Sequence, residues 1–528
     1  MTGEASTDRP RCADSTLRGL ARNPAAPPDV LLSLLDAAPS PACQGLKDRR
    51  DLPRPVQEAM LRHPLQMVRG TLAAHPRVDT DLRNRLLTDP DWQVTVRAFG
   101  GPGQQPLSDE VLIPLLTRIQ EPGPGSMFTT EELLGELLDA MGWDLRPHRL
   151  GVAHPDPRVR RRVGEVASLL DESSRATLLA DPVPDIRAVT AAAIAEGERP
   201  MRPADLPSHY CHAFWAVLQR PLSRALVDQV VASDDTEALY FVGPNPTTPP
   251  DVVRALLRHP STQVRRQLAA RADLSRDQLL ELAADPEVEV RTAVSVHPGL
   301  TEQDRAGIDI DVTTADGDGH FGPVRSCLHG CYGRVPPLTD ALRWAGSVNP
   351  LLRRRAARNP ELPAYLVAVL ADDPDLGVRV LLAQHHPGAP PALLLRCFLE
   401  YHRCGRERLS ALPQFPTDGL AAFANHPDPV VRRLVALDPH ADPALVERLC
   451  ADPDPGVRQA MAACPLLPTL RITALLDDPE LAEHTAANPA LPVDRMRQLC
   501  GTPSTGDDCD MTASLAGLRP PSTDDTCR

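Results

Sequence analysis

The stretch PNPTTPPDVVRALLRHPSTQVRRQLAARADLSRDQLLELAADPEVEVRTAVSVHPGL, residues Pro244–Leu300, contains one short motif twice. Each copy has a polar residue, a proline, three variable residues, an aliphatic residue and an arginine: HPSTQVR at His259–Arg265 and DPEVEVR at Asp285–Arg291. Their prolines, Pro260 and Pro286, lie 26 residues apart. A fixed period of this size indicates stacked repeats, in which each repeat buries its apolar face only against its neighbours.

The spacing of apolar residues predicts two short helices in each repeat. The first helix opens at Pro249–Pro250, because the fixed backbone angle of proline suits the first helical turn. It ends at His259–Pro260, because the residue before a proline is pushed out of the α region. The apolar positions of the first helix, and then of the second, recur at helical spacing: Val252, Val253, Leu256 and Leu257, followed by Val264, Leu268 and Ala269. Helices this short are marginal alone, so packing between repeats must stabilise them.

The same motif recurs along the chain. Six further copies are HPLQMVR at His63–Arg69, HPDPRVR at His154–Arg160, DPVPDIR at Asp181–Arg187, DPDLGVR at Asp373–Arg379, HPDPVVR at His426–Arg432 and DPDPGVR at Asp452–Arg458. We therefore predict an all-α fold, an α-solenoid of two-helix repeats of about 24–27 residues.

Two positions of the motif have expected local roles. The aspartate before the proline (Asp285, Asp373, Asp452) is expected to cap the following helix, with the proline at its first position. The arginine comes round once per repeat and is expected to form a structural ladder to acidic residues of adjacent repeats; ligand binding is the alternative. These arginines are Arg69, Arg160, Arg187, Arg265, Arg291, Arg379, Arg432 and Arg458.

Spacing and composition divide the chain into segments. We predict disorder at both ends, two insertions, and helical repeats elsewhere. The segments are a disordered N-terminus at 1–16, repeats at 17–100, an insertion or degenerate repeat at 101–150, repeats at 151–305 with degenerate copies at 200–240, an insertion rich in Gly, Asp and Cys at 306–345, repeats at 346–500, and a disordered tail at 501–528.

Charge and composition narrow the functional classes. The net charge of −14 disfavours nucleic acid and anionic membranes as partners. Of 56 basic residues only Lys47 is a lysine, which leaves little for Schiff-base or phosphate-loop lysine chemistry. No stretch is apolar enough to span a membrane, and Met1–Leu20 lacks the apolar segment of a signal peptide. We expect a cytoplasmic protein with mostly reduced thiols.

Two longer phrases resemble a known family. NPELPAYLVAVLADDPDLGVR at Asn359–Arg379 and DPHADPALVERLCADPDPGVRQAMAACP at Asp438–Pro465 resemble the leucine-rich repeat variant family. The resemblance implies a right-handed solenoid that alternates α- and 3₁₀-helices and has no common enzymatic activity. It also implies a possible iron–sulfur cluster, which the founding type carries in a cysteine-rich N-terminal domain. This chain departs from that type, because its N-terminal region offers only Cys12 and Cys43.

Cysteine and histidine suggest one candidate metal site. His320, Cys327, His329 and Cys331 lie together in the glycine-rich insertion, and thiolate and imidazole ligands at this spacing could hold zinc. The alternative is a loop with free thiols. A second, weaker group follows at Cys397, His402 and Cys404, whereas the cysteines at repeat positions are expected in the core: Cys450, Cys464 and Cys500.

The histidines that precede prolines are spread along the repeats, so we expect turn and capping roles for them and no shared metal: His63, His75, His154, His259, His297, His386 and His426. No recognised catalytic motif appears in the sequence. We therefore predict a non-enzymatic scaffold that binds an unknown protein through an extended solenoid face, without a cofactor. The alternatives are a metal or iron–sulfur protein that uses Cys and His residues of the repeats and of the insertion, and a nucleic-acid binder with an arginine-rich concave face.

Overall fold

The computed structural model describes residues 12–100, 109–112, 145–312, 318–319, 322–323, 335–403 and 405–501. Nearly all of the regular secondary structure in these residues is helical, which confirms the predicted all-α class. A two-residue antiparallel pair joins Asp318–Gly319 to Gly322–Pro323, and a single bridge joins Met201 to Leu222. Within the described ranges, no helix is both long and apolar enough to cross a membrane.

The helices are short. From the N-terminus to residue 198, the described α-helices are Cys12–Arg22, Pro28–Ala37, Pro39–Leu46, Arg54–Arg62, Gln66–Ala73, Thr80–Leu86, Trp92–Gly100, Arg146–Gly151, Pro157–Glu165, Glu172–Leu179 and Pro184–Glu198. They continue with His212–Leu218, Arg224–Ser233, Thr236–Val242, Pro250–Leu256, Thr262–Leu268, Arg276–Ala283, Val288–Val294 and Glu302–Ala306.

Past the insertion, the described α-helices are Leu338–Trp344, Pro350–Ala356, Ala364–Ala371, Leu376–His385, Pro391–Glu400, Arg406–Ser410, Pro429–Arg432, Pro443–Leu449, Pro455–Ala462, Thr469–Leu475, Ala482–Ala486 and Val493–Cys500. The described residues also include four 3₁₀-helices: Ala167–Leu169, Pro203–Asp205, Leu420–Asn425 and Arg433–Leu437.

The stretch Pro244–Leu300 shows how one repeat is built. Pro249 is the N-cap of the helix Pro250–Leu256, which confirms the predicted start. After a turn at His259, the second helix runs over Thr262–Leu268. The apolar positions predicted to face the core are all buried in the structure: Val252, Val253, Leu256, Leu257, Val264, Leu268 and Ala269.

The proline of the motif does not begin a helix, contrary to our prediction. Asp285 accepts a hydrogen bond from the amide of Glu287 at 2.9 Å, and Glu287 is the N-cap of the helix that follows. An aspartate that bonds the amide two residues on closes a turn, so the cap falls on the later residue. The same correction applies to Asp373 and Asp452, whose turns lead to the N-caps Asp375 and Asp454.

Two predicted segment boundaries also differ from the structure. The helix Cys12–Arg22 begins inside the segment 1–16, for which we predicted disorder. The helix Leu338–Trp344 lies inside the predicted insertion 306–345 and precedes a further helix, Pro350–Ala356, as in an ordinary repeat. In both places the sequence lacks the arginine motif, so the repeat period gave no sign of these helices.

The described residues divide into two compact bodies, one from the ranges 12–195 and 417–501 and one from the range 196–416. In the first body, one apolar core includes residues from both segments, for example Leu20 and Leu31 together with Met461 and Leu491. In the second body, residues from Met201 to Leu300 form a core of their own. Leucine, valine and alanine make up most of both cores, in keeping with the low aromatic content of 3%.

A row of buried polar residues links consecutive repeats, and we call it the carbonyl row. In the second body, the Asn245 side-chain amide donates to the carbonyls of Leu218 and Arg220, at 2.9 and 2.8 Å. One repeat on, the Arg271 guanidinium donates to the Asn245 carbonyl at 2.6 Å. One more repeat on, His297 Nε2 lies 2.8 Å from the Arg271 carbonyl oxygen. In successive repeats, different side chains thus donate to the structurally equivalent buried carbonyl of the preceding repeat.

Candidate interaction surface

The recurrent arginine is positioned by its own motif and by the next repeat. Arg265 Nη1 donates to the carbonyls of His259 and Pro260, at 2.7 and 3.1 Å. Its Nε and Nη2 donate to the Asp285 carboxylate at 2.8 and 3.0 Å. Asp285 is the first residue of the following motif, so the pair ties one repeat to the next through a bidentate, charge-assisted contact.

This arrangement, which we call the arginine–aspartate ladder, recurs in both bodies. The other bidentate rungs are Arg69–Asp89, Arg160–Asp181, Arg353–Asp373 and Arg432–Asp452. Three arginines of the motif reach a different acid: Arg291–Asp309, Arg379–Glu400 and Arg458–Glu480. Arg187 bonds the carbonyls of Asp181 and Pro182.

The contacts of the ladder use most of the hydrogen-bond donors of its arginines. In the rung Arg265–Asp285 the two side chains are 10% and 6% exposed. Elsewhere the hydrogen-bonded guanidinium of Arg160 lowers the pKa of Asp181, and that of Arg432 lowers the pKa of Asp452. Both carboxylates therefore stay ionised at neutral pH. A guanidinium held by one carboxylate and two carbonyls has little capacity left for a ligand, so these rungs are structural contacts.

A second set of arginines stands one residue further along the helices. Arg354 Nε lies 2.7 Å from Asp375 Oδ1 in the next repeat, and Arg161 Nε lies 3.0 Å from Asp185 Oδ2. A Cβ added at Gly377 would fall on the Arg354 guanidinium, so glycine leaves room for that pair. These contacts neutralise arginines that a basic binding face would need.

The candidate metal site falls outside the described residues, which include none of His320, Cys327, His329 and Cys331. In the parts of the chain that the structure does describe, no group of three or more His, Cys, Asp or Glu side chains could hold a metal ion. Of the weaker group, Cys404 is also outside these parts. Burial raises the pKa of its other cysteine, Cys397, to about 12, so this thiol stays protonated at neutral pH.

The cysteines at repeat positions belong to the core. Cys450 and Cys464 are 4% and 2% exposed, as predicted, and Cys500 is half-buried. Burial raises the pKa of Cys450 to about 11 and that of Cys500 to about 11. Because only thiolates are good ligands and nucleophiles, these three side chains act as small apolar residues.

The seven histidines before prolines have the predicted turn role. In each, ring Nδ1 accepts the backbone amide two residues on, at 3.0–3.2 Å: His63, His75, His154, His259, His297, His386 and His426. Burial lowers the pKa of His75 and of His154, which favours the neutral ring that this bond requires.

Several apolar side chains remain on the surface of the second body. Tyr365 and Val369 are 67% and 63% exposed, and they lie four residues apart, on one face of the helix Ala364–Ala371. Leu342, 41% exposed, lies on the corresponding helix of the preceding repeat, Leu338–Trp344. The Asn359 side chain joins the two repeats by its bond to the Pro336 carbonyl at 2.8 Å.

Sequence reasoning missed this apolar set. The helical pattern assigns Val367 and Leu370 to the core, where the structure also places them. Tyr365 and Val369 fall on the opposite side, where polar residues are the rule in a surface helix. The sequence did contain a signal for this surface, because Tyr365 and Val369 place apolar residues at two solvent-side positions of one helix. The carbonyl row was also missed, because asparagine, arginine and histidine share its position.

No protein-family model matches this chain, and no curated protein sequence matches it either.

Proposed function

We propose that this protein is a non-enzymatic scaffold that binds a protein partner through the outer helices of a right-handed α-solenoid. In this proposal the repeats are of the leucine-rich repeat variant kind, and the protein acts in the cytoplasm. The exposed pair Tyr365 and Val369, together with Leu342 on the preceding repeat, carries the proposal. Aromatic and aliphatic side chains of this kind form the energetic centres of protein interfaces.

The contacts of the arginines favour a protein partner over nucleic acid. A nucleic-acid surface needs several guanidinium groups free to meet phosphates. Here Arg265, Arg354 and Arg432 are each held by an aspartate of the next repeat. The net charge of −14 adds a repulsion from phosphate that unpaired arginines would have to overcome.

The test is affinity purification of the full chain from its native cells, compared with the double variant Tyr365→Glu, Val369→Glu. Two carboxylates at these positions would have to be desolvated in an apolar interface. We expect the double variant to lose the partner about tenfold or more, in keeping with the cost of removing interface anchors. Quantitative mass spectrometry of the captured proteins measures this loss.

Leu169→Glu is the matched control, because Leu169 is 61% exposed but lies in the other body. This variant is expected to capture the same proteins as the wild type. Circular dichroism and thermal melting establish that all three chains are folded alike. An identical set of captured proteins for the double variant, or no reproducible capture by the wild type, would refute the proposal.

A further inference from the structure

The first repeat of the chain stacks on the last one. In the first body, the Asn488 side-chain amide donates to the carbonyls of Ala462 and Cys464, at 2.8 and 2.7 Å. The Asn23 side-chain amide donates to the carbonyls of Ala486 and Asn488, at 2.9 and 2.7 Å. Asn23 therefore follows Asn488 in the carbonyl row just as Asn488 follows the repeat before it, although no short peptide joins them.

The row then continues in the ordinary way. The Arg49 guanidinium donates to the Asn23 carbonyl, and His75 Nε2 lies 3.1 Å from the Arg49 carbonyl oxygen. The sequence of rungs is thus Asn488, Asn23, Arg49 and His75. The step from the C-terminal to the N-terminal segment has the same register as the steps between consecutive repeats.

Two glycines show the same equivalence in the packing. A Cβ on Gly45 would overlap the Arg18 carbonyl oxygen in the preceding repeat. A Cβ on Gly19 would overlap the Glu483 carbonyl oxygen in the last repeat. Gly19 and Gly45 are 26 residues apart, one repeat. Both steps therefore use the same close approach between backbones, which only glycine permits.

Charged pairs surround this contact, which we call the seam. Arg18 Nε donates to Glu483 Oε1 at 2.9 Å, and Arg22 Nη1 donates to the same oxygen at 3.2 Å. On the next pair of helices, Arg497 Nε lies 3.0 Å from Asp29 Oδ2. Each side of the seam thus carries both signs, and each charge meets an opposite charge across it, so the pairs fix which surfaces meet.

The seam differs from the steps between consecutive repeats described above, because 465 residues separate Arg18 from Glu483. When a seam opens, it exposes two different surfaces, and each is complementary to the other. The same two surfaces are present on every copy of the chain. We propose that the seam is an exchangeable interface and that its alternative occupant is a second copy of this chain. The repeat at Cys12–Leu46 of one copy then stacks on the last repeat of the other, reciprocally.

Charge reversal across the seam tests the proposal with full-length chains. Glu483→Arg places three positive groups against one another, and Arg18→Glu places two carboxylates together. Each variant alone therefore has like charges at its own seam and against a second copy of itself, which weakens both contacts. A mixture of the two can form one native seam and one reversed seam. We expect the equimolar mixture, and neither variant alone, to form a dimer of twice the chain mass of 57.2 kDa, measured by light scattering during gel filtration.

Two controls define the result. The chain that carries both changes restores an opposite-charge pair within itself and is expected to stay monomeric. Arg54 and Asp81 form a similar exposed pair between repeats that are consecutive in sequence. Mixing Arg54→Asp with Asp81→Arg is therefore expected to give no dimer. A seam mixture that elutes as monomers, or a dimer that forms equally from the Arg54 and Asp81 variants, overturns the proposal.

A second measurement needs no substitution. Two wild-type populations with different affinity tags are concentrated together in mild urea, which weakens the seam, and are then diluted into buffer. Purification through one tag is expected to recover chains that carry the other tag, in a fraction that rises with protein concentration during mixing. Failure to recover the second tag at any concentration rules out exchange in the natural sequence.

Discussion

Two successive copies of the motif, ending at Arg265 and Arg291, make different rungs. Arg265 meets Asp285, a residue of the next motif that its own turn holds in place, and the carboxylate side chain is 6% exposed. Arg291 meets Asp309, whose side chain is 88% exposed. Unlike Asp285, Asp309 does not precede a motif proline. The arginine at this motif position therefore ties two repeats together firmly only where the next repeat supplies a fixed and buried acid.

The largest expected effect is a difference in the free energy of unfolding between the alanine variants of these two arginines. Arg265→Ala leaves the Asp285 carboxylate buried without its guanidinium, and we expect it to lower the free energy of unfolding by about 3 kcal/mol. Arg291→Ala leaves Asp309 to water and removes bonds to half-exposed carbonyls, so the expected loss is about 1 kcal/mol. Urea unfolding followed by circular dichroism measures both. Equal losses would show that burial of the acid does not set the strength of a rung.

The second prediction exchanges one member of the carbonyl row for another. Asn occupies the row at Asn23, Asn245 and Asn488, so His75→Asn should keep the bond to the Arg49 carbonyl. Burial lowers the pKa of folded His75, so the unfolded chain takes up a proton more readily than the folded one. The neutral ring thus contributes stability above the unfolded pKa of about 6.5, and this contribution is lost as the pH falls.

We therefore expect His75→Asn to match the wild type near pH 8 and to lose less stability than the wild type below about pH 6.5. His154, with a lowered pKa of its own, leaves some pH dependence in the variant. Thermal melting across this pH range measures the difference. Parallel melting curves for the two proteins across this pH range would show that His75 does not contribute to the pH dependence of stability.

The smallest expected effect concerns a glycine beside the second set of arginines. The Cβ of Gly377→Ala would displace the Arg354 guanidinium from Asp375, whereas a Cβ on Gly346 meets nothing within 4 Å. Gly346→Ala is therefore the matched control, and it should be neutral or slightly stabilising. We expect the two variants to differ by about 1 kcal/mol, the scale of one such ion pair. A smaller loss for Gly377→Ala than for the control would contradict the assigned role of the glycine.

The predictable part of the structure is local. The helix start at Pro249–Pro250 and the burial of Val264 and Leu268 follow from proline geometry and from apolar spacing, and the structure agrees with both. The motif also identifies Arg265 as a recurring residue. Its partner, Asp285, could not be read from the period alone, because the direction of a side chain depends on how closely the repeats pack.

The rest of the structure depends on contacts that the repeat pattern of the sequence does not predict. The position of Asn23 on Asn488 is a relation between two distant ends, and the sequence marks neither of them as special. The exposed Tyr365 is visible in the sequence, but only packing shows which side of its helix faces water. The helix cap at Asp375, and not at Asp373, follows from a turn that the helical pattern does not record.

The seam also sets an order of events during biosynthesis. The surface around Arg18 and Asn23 is made before its partner at Glu483, which follows Arg18 by 465 residues. At about 5–20 residues per second, that interval lasts roughly 25 to 90 s. During this time the apolar side of the first repeat has no cover from its own chain. Nascent chains on the same messenger RNA can therefore meet each other before either chain has completed its own stack of repeats.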